Sequence, residues 1–369
     1  MGYYVFFIGM RILHVITTLD VGGAERLMVD LLPRLSNAEN MVELVVFKGK
    51  GTSFYQELVD KGINVTFLSE SRGVYNIRHI FKLIHYVGKY DIVHTHNTAC
   101  QFYAVLAKLF SRKRVKMVTT EHNSTNRRRS IRWLKPIDRW MYNRYDAIVC
   151  IADQTYKNLV EYIGKTSQIH TIYNGVDISR FLRPIGDVSG HEDFVITMVA
   201  AFRPQKDYDT LLRAMTHLPE TYRLQIVGGG NQNEIERIRL KCASMGLNPR
   251  VSFMGVRADV PDILEKSDII VLSSHWEGLS LSSIEGMASG RPFIASDVDG
   301  LQEIVQGAGV LFPEGDDKEL AHQIQRLCEH PDDYRMVALK CQERAKQYDI
   351  SVMAEKYMEL YQSLIGCEK

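Results

Sequence analysis

A chain of 369 residues with 45% apolar and 24% charged side chains has the composition of a soluble globular protein and the length for two domains of ordinary size. The formal charge of +1 conceals an asymmetry: residues 1–190 carry 26 Lys and Arg against 16 Asp and Glu, whereas residues 191–369 carry 19 against 28. The first half therefore favours an anionic partner, while the absence of a nucleic-acid module and of a long apolar stretch argues against nucleic-acid binding and a membrane span.

The chain opens on an apolar segment, residues 1–9, read as an upstream extension, with a membrane-touching tail as the minor alternative. Strand-like runs follow at 11–17, 42–47, 65–68, 91–94, 116–120, 147–151 and 170–173, alternating with helical patterns such as 24–35, where Leu27, Leu31, Leu32 and Leu35 share one face. A cluster of Pro184, Gly186, Ser189 and Gly190 marks a linker over 181–193. Strands resume at 194–200, 224–227, 251–254, 269–272, 293–295 and 310–312, and helical stretches at 331–347 and 351–365 close the chain. Strand–helix alternation with apolar strands predicts two α/β domains with parallel, doubly wound sheets, at 10–180 and 191–348. Such sheets bind ligands beyond the carboxyl ends of their strands, so chemistry is expected just after each strand. The six cysteines, Cys100, Cys150, Cys242, Cys328, Cys341 and Cys367, form no CxxC pair, which suits a reducing, cytoplasmic compartment.

After the first strand, Gly22-Gly23 opens a helix, either as a plain turn or as backbone that lets a phosphate approach. The lack of GxGxxG disfavours a dinucleotide-dependent dehydrogenase. His94 and His96 follow the fourth strand with a metal-like spacing but no third ligand evident in the sequence, and His122 follows the fifth, placed to bond a sugar, to act on a proton or to fill a structural role. Between 126 and 144, Arg127, Arg128, Arg129, Arg132, Lys135, Arg139 and Arg144 interleave with Ile131, Trp133, Leu134, Trp140 and Met141, opposed only by Asp138. That stretch suits an anionic membrane surface or a phosphorylated acceptor, or is a packed helix with a solvated basic face. In the second half, Arg203 and Lys206 follow a strand and can neutralise a leaving diphosphate, or are ordinary loop charges. Gly228-Gly229-Gly230 lacks the lysine of a P-loop and reads as a tight turn; Asp297-Val298-Asp299 is rejected as a metal motif.

The segment 275–290, HWEGLSLSSIEGMASG, is the most informative. Glu277 and Glu285 flank a serine-rich helix start, whose free N–H groups suit phosphate while the carboxylates suit sugar hydroxyls. Ser282 and Glu285 also satisfy a capping box, which would make Glu285 structural.

In this order, Gly22-Gly23, His122, Tyr173-Asn174-Gly175-Val176-Asp177, Pro204-Gln205-Lys206, the Glu277/Glu285 pair and the turn at 296–303 resemble the retaining glycosyltransferases of family four over the whole chain after Met10. The resemblance implies the GT-B fold, two facing Rossmann-like domains with a C-terminal helix, 351–366, returning to the first. It implies a nucleotide-sugar donor and neither metal nor other cofactor. By position, Gly22, Gly23 and Asn174 would line the donor site, Arg203 and Lys206 would neutralise its diphosphate, and Gly278, Leu279, Ser280 and Leu281 would meet its phosphates through backbone. Glu277 would contact the transferred sugar, Glu285 the ribose, Val256 and Arg257 the base, and His122 the sugar near the reacting carbon. Relatives commonly place the arginine where this chain has Ala201, so Arg203 would substitute from a neighbouring position. The expected function is transfer of a sugar to a glycan acceptor, lipid-linked by the basic charge of the first domain, with Arg127, Arg128, Arg129 and Arg132 meeting acceptor or membrane at the inner face of the plasma membrane. The alternatives are a nucleotide-sugar epimerase of the same fold and a two-lobed sugar-binding protein.

Overall fold

The computed structural model describes residues 9–366 apart from 21, 50, 71–72, 112–113 and 123–126; the side chains of Arg127, Ser130 and Arg132 are also outside the described set. The extension expected at 1–9 thus lies, but for Gly9, outside the described residues. The chain forms two compact units, Met1–Gly175 with Ile350–Lys369, and Val176–Asp349.

The first unit is built on seven parallel strands: β1 (Arg11–Ile16), β2 (Met41–Lys48), β3 (Asn64–Ser69), β4 (Ile92–His96), β5 (Lys116–Glu121), β6 (Ala147–Cys150) and β7 (Ile169–Thr171), in the order β3-β2-β1-β4-β5-β6-β7. Both faces are covered, because successive side chains alternate. Ile12 and Ile16 of β1 join a core with the helices Gly23–Leu35 and Ile350–Gly366, whereas Leu13 and Val15 join another with Ile80, Leu83, Ala104 and Val105. The C-terminal helix buries Ile350, Met353, Ala354, Tyr357, Leu360 and Tyr361, an apolar stripe at helical spacing that anchors it in the first unit.

The second unit contains β8 (Phe194–Val199), β9 (Tyr222–Val227), β10 (Val251–Gly255), β11 (Ile269–Leu272), β12 (Phe293–Ser296) and β13 (Val310–Phe312), ordered β10-β9-β8-β11-β12-β13. Counted from its own first strand this is 3-2-1-4-5-6, the dinucleotide-binding order, and the first unit repeats it with one strand added. The order reverses between β1 and β4, and again between β8 and β11. Loops leaving those strands open a crevice in each unit.

Two expectations shift. The segment at 181–193 is no free linker: Gly186 N–H donates to Gly290 O at 2.9 Å, and Arg291 and Gln342 bond the Pro184 and Arg183 carbonyls, so it is sewn onto the second unit. β4 runs to His96, which brings His94 and His96 onto one face of the sheet. Among the described residues no helix is long and apolar enough to cross a membrane. Five of the cysteines are buried free thiols, and Cys367 lies outside the described residues.

Candidate functional site

In the second unit the loops leaving β8 and β11 are stitched to each other. Asp207 adopts a left-handed conformation (φ 39°, ψ 55°) that Asp tolerates better than most side chains, and it caps the helix Tyr208–His217 by accepting from the Thr210 N–H at 3.1 Å. This turn ends the short segment Pro204–Lys206 and fixes the direction of Lys206. From the other loop, the Ser273 hydroxyl donates to Asp207 O (3.0 Å) and the His275 N–H to Gln205 O (2.8 Å), while the Gln205 amide donates back to Trp276 O (2.5 Å).

Glu277 lies at the centre of these contacts. Its side chain is 8% exposed and forms an ion pair with Lys206, itself 12% exposed. It also accepts from the Ser274 hydroxyl at 2.6 Å and the Gln205 amide at 3.3 Å. A buried carboxylate survives only with such partners, because their attraction offsets the loss of hydration. Gly300, at φ +83°, packs so tightly on the Glu277 and Gly278 carbonyls that a Cβ would collide with them. Asp299 O accepts from the Glu277 N–H at 3.2 Å, so the Asp297–Asp299 turn buttresses Glu277 through backbone, and both aspartates are exposed.

Beyond Glu277 the chain enters the helix Leu281–Ala288, capped by Ser280, whose hydroxyl accepts from Ser283 N–H at 3.4 Å while the Ser283 hydroxyl donates to Ser280 O at 2.6 Å. The cap lies two residues earlier than a Ser282/Glu285 box requires. Glu285 falls in the second turn, half-buried, and is no N-terminal cap. The N–H groups of Gly278, Leu279, Ser280, Leu281 and Ser282 reach no backbone carbonyl among the described residues, leaving a row of donors beside the Lys206–Glu277 pair. The Arg203 side chain is exposed and has no hydrogen-bond or ion-pair partner among the described residues; Val256 is exposed, and Arg257 pairs with Asp259 at 2.6 Å. Gly228-Gly229-Gly230 presses its backbone onto 200–202, where a Cβ on Gly228 would meet Ala200 O, and so acts as a tight turn.

In the first unit, Gly22 caps the helix Gly23–Leu35 directly after β1. The Glu25 carboxylate fills the space a Gly22 side chain would need, and burial above all raises its pKa; a Cβ on Gly23 would meet nothing within 4 Å, so packing inside the unit does not require that glycine. Asn174 is buried and its Oδ1 has no partner among the described residues. His122, just past β5, bonds His96 (Nε2 to Nδ1, 2.9 Å), and His96 bonds His14 (Nε2 to Nδ1, 3.0 Å). His94 sits beside them, held by Tyr361 at 2.6 Å and Thr120 at 2.7 Å. Burial lowers the pKa of His14 to about 3 and of His122 to about 4, and drives His94 and His96 well below the ordinary value, so all four are neutral near pH 7.

The third metal-type ligand that the sequence did not reveal is therefore present: His14, His94 and His96 have ligand atoms within 4.8 Å of one another. Both nitrogens of His94 and of His96 are already hydrogen-bonded, and only Nε2 of His14 lacks a partner. A metal would have to break those bonds. His14 was detectable as a lone polar residue on the inward face of β1.

The basic segment behaves less uniformly than its sequence suggests. Arg129 is tied to buried Glu121 at 2.7 Å, which also accepts from Tyr142 (2.8 Å) and Gln101 (2.5 Å); Arg128 pairs with buried Asp138 at 2.6 Å and stacks on Phe102. These two charges are neutralised within the fold. Lys135, Arg139, Trp140 and Tyr162, with Arg129, line an open cleft of about 740 Å³, and Trp133 is 71% exposed nearby in sequence.

Two Rossmann-ordered sheets, with a buried cation–carboxylate pair and a helix start at the switch point of the second, define a GT-B glycosyltransferase. Comparison with known proteins bears this out. The model of Glycosyltransferase Family 4 matches residues 21–180, and that of Glycosyl transferases group 1 matches residues 193–330. The chain belongs to the family-four glycosyltransferases. It is 27% identical to the putative glycosyltransferase EpsD of Bacillus subtilis (strain 168), covering 76% of this chain and 78% of that one. It is 25% identical to the UDP-Gal:alpha-D-GlcNAc-diphosphoundecaprenol alpha-1,3-galactosyltransferase of Escherichia coli, covering 79% and 80%. Among solved structures, Anabaena HepE in complex with UDP and glucose superposes with a TM-score of 0.82 at 21% identity, covering 96% of this chain and all of that one, which supports the fold.

Proposed function

We propose that this glycosyltransferase moves a sugar, with retention of configuration, from a uridine diphosphate sugar to a glycan acceptor carried on a lipid diphosphate, in assembly of a cell-surface polysaccharide or glycoconjugate. The observation that carries the reading is the buried Lys206–Glu277 pair beside N–H groups that reach no backbone carbonyl among the described residues. One carboxylate suits sugar hydroxyls; one cation and a helix start suit the adjoining diphosphate. Arg203 adds a second cation, Glu285 takes the ribose hydroxyls, and Val256 and Arg257 flank the base. Gly22, Gly23, Asn174 and His122 are the donor-binding residues we propose for the first unit.

In this mechanism the bond from C1 to the diphosphate oxygen breaks first, and Lys206 and Arg203 stabilise the charge gathering on the phosphate. The acceptor hydroxyl attacks C1 on the face the phosphate leaves, and its proton passes to the departing phosphate oxygen. No enzyme nucleophile, metal or cofactor takes part. Uridine is supported by the names of the Escherichia coli relative and of the HepE complex, and a lipid diphosphate by the former. The cleft with Lys135 and Arg139 has the charge for that diphosphate, and exposed Trp133 and Ile137 suit a peripheral seat on the inner face of the plasma membrane.

Incubation of the enzyme with a panel of uridine and guanosine diphosphate sugars and an undecaprenyl-diphosphate-linked sugar should give product from a uridine donor, with the donor's anomeric configuration by NMR. Epimerised nucleotide-sugar, an inverted product, or binding without turnover would overturn the proposal.

A further inference from the structure

Three histidines from three strands form one hydrogen-bonded line: His14 on β1, His96 at the end of β4, and His122 just past β5. At its inner end, Nε2 of His14 is sealed in the core without a partner. At its outer end, His122 is half-buried and its Nδ1 has no partner among the described residues.

A neutral imidazole has one N–H and one bare nitrogen. Two links among three neutral rings use two of the three N–H groups, and the third must sit at one end. Protonating the middle ring instead would place a charge in the core, which burial opposes. Only two arrangements remain. In one, every ring donates inward and His14 buries an N–H with nothing to receive it. In the other, every ring donates outward, His14 keeps a bare nitrogen, and His122 offers an N–H to solvent or ligand. Orphaned buried N–H groups are rarer than under-satisfied acceptors.

We infer that His14 and His96 are positioning residues that hold His122 in its Nδ1–H tautomer, so that His122 acts on the donor sugar as a hydrogen-bond donor and not as a base. The consequence for catalysis rests on the function proposed above; the tautomer itself does not. A donor at this position orients a hydroxyl or ring oxygen without removing a proton, which suits a reaction whose acceptor proton leaves with the phosphate. The line also links His122 to the sheet through fixed backbone: His14 and His94 are register partners on β1 and β4, and His96 lies two residues beyond on the same face.

The test is ¹⁵N NMR of histidine-labelled, unliganded protein, with His122 assigned by its loss in His122→Gln. The expected spectrum has His122 Nδ1 protonated and Nε2 bare near neutral pH. In His14→Phe and His96→Leu that preference should be lost, with kcat reduced on the order of 10-fold and UDP affinity, for which neither side chain is a proposed contact, unchanged. His122 found as the Nε2–H tautomer in the unaltered protein would overturn the inference, and so would an unchanged tautomer in both variants. Stoichiometric Zn²⁺ retention lost in His96→Leu would also overturn it, because the same nitrogens would then be ligands. If the enzyme transfers no sugar yet shows the Nδ1–H form, the functional proposal fails and the tautomer stands.

Discussion

At the scale of single residues, Lys206 and Glu277 matter most because each is the other's counter-charge. Removing one leaves the other buried and unpaired, which costs about 3–5 kcal/mol where a buried pair is broken. Glu277→Ala should therefore lose both transfer and stability. Glu277→Gln keeps a hydrogen-bonding head for Ser274 but strands Lys206. The double variant Lys206→Met/Glu277→Gln should be markedly more stable than the sum of its single substitutions, since neither charge is then orphaned. Urea denaturation of the four proteins measures this, and additive losses would mean that the pair is not coupled. Activity should fall by about 10²–10³ in kcat for Lys206→Ala, the range for removing one group that stabilises developing charge.

At the scale of elements, the face of the first sheet under the C-terminal helix carries four neutral imidazoles. In the unfolded chain each titrates near about pH 6.5, and in the fold the two with assigned values titrate near 3 and 4. Between those limits the unfolded chain binds protons that the folded chain does not. Their stabilising effect is complete above about pH 6.5 and is lost as the pH falls toward 4, at up to about 1.4 kcal/mol per pH unit for each ring. Denaturation midpoints should thus fall steeply between about pH 7 and about pH 4.5, less steeply in His94→Gln; a flat profile would show that these rings are not held neutral. The strands themselves were legible because apolar runs between turn residues need no partner to be recognised, and the helical pattern at 351–365 marked the closing helix. His14, His96 and His122 were not legible as a line, because strand order β1-β4-β5, not sequence spacing, brings them together. Arg129 pairs with Glu121 eight residues before it and Arg128 with Asp138 ten residues after it, separations that match the neighbour spacing of neither a helix nor a strand and so name no partner in advance. Arg129→Ala should cost about 3 kcal/mol or more by exposing Glu121 to an uncompensated core, whereas exposed Arg139→Ala should stay within about 0.5 kcal/mol. Thermal or urea unfolding separates the two cases.

At the scale of the whole molecule, the excess of positive charge lies before residue 190 and the excess of negative charge after it. With Arg128 and Arg129 consumed internally, the charges left to meet an anionic surface on the basic segment include Lys135 and Arg139, beside exposed Ile131, Trp133, Ile137 and Trp140. Cations near an anionic bilayer contribute about 1 kcal/mol each, and aromatic side chains anchor at the headgroup level. If that segment seats the enzyme on membrane, co-sedimentation should be strong with phosphatidylglycerol vesicles, weak with phosphatidylcholine, and should decline between about 0.05 M and about 0.5 M salt as screening shortens the reach of each charge. Charge reversal by Lys135→Glu with Arg139→Glu should lower vesicle affinity at least about 10-fold and leave UDP binding intact, because neither side chain is among the proposed donor contacts. Arg128→Ala should weaken vesicle binding only as far as it loosens the fold, since its charge is already balanced by Asp138. Equal losses in both variants, or none in either, would place the membrane contact elsewhere on the chain.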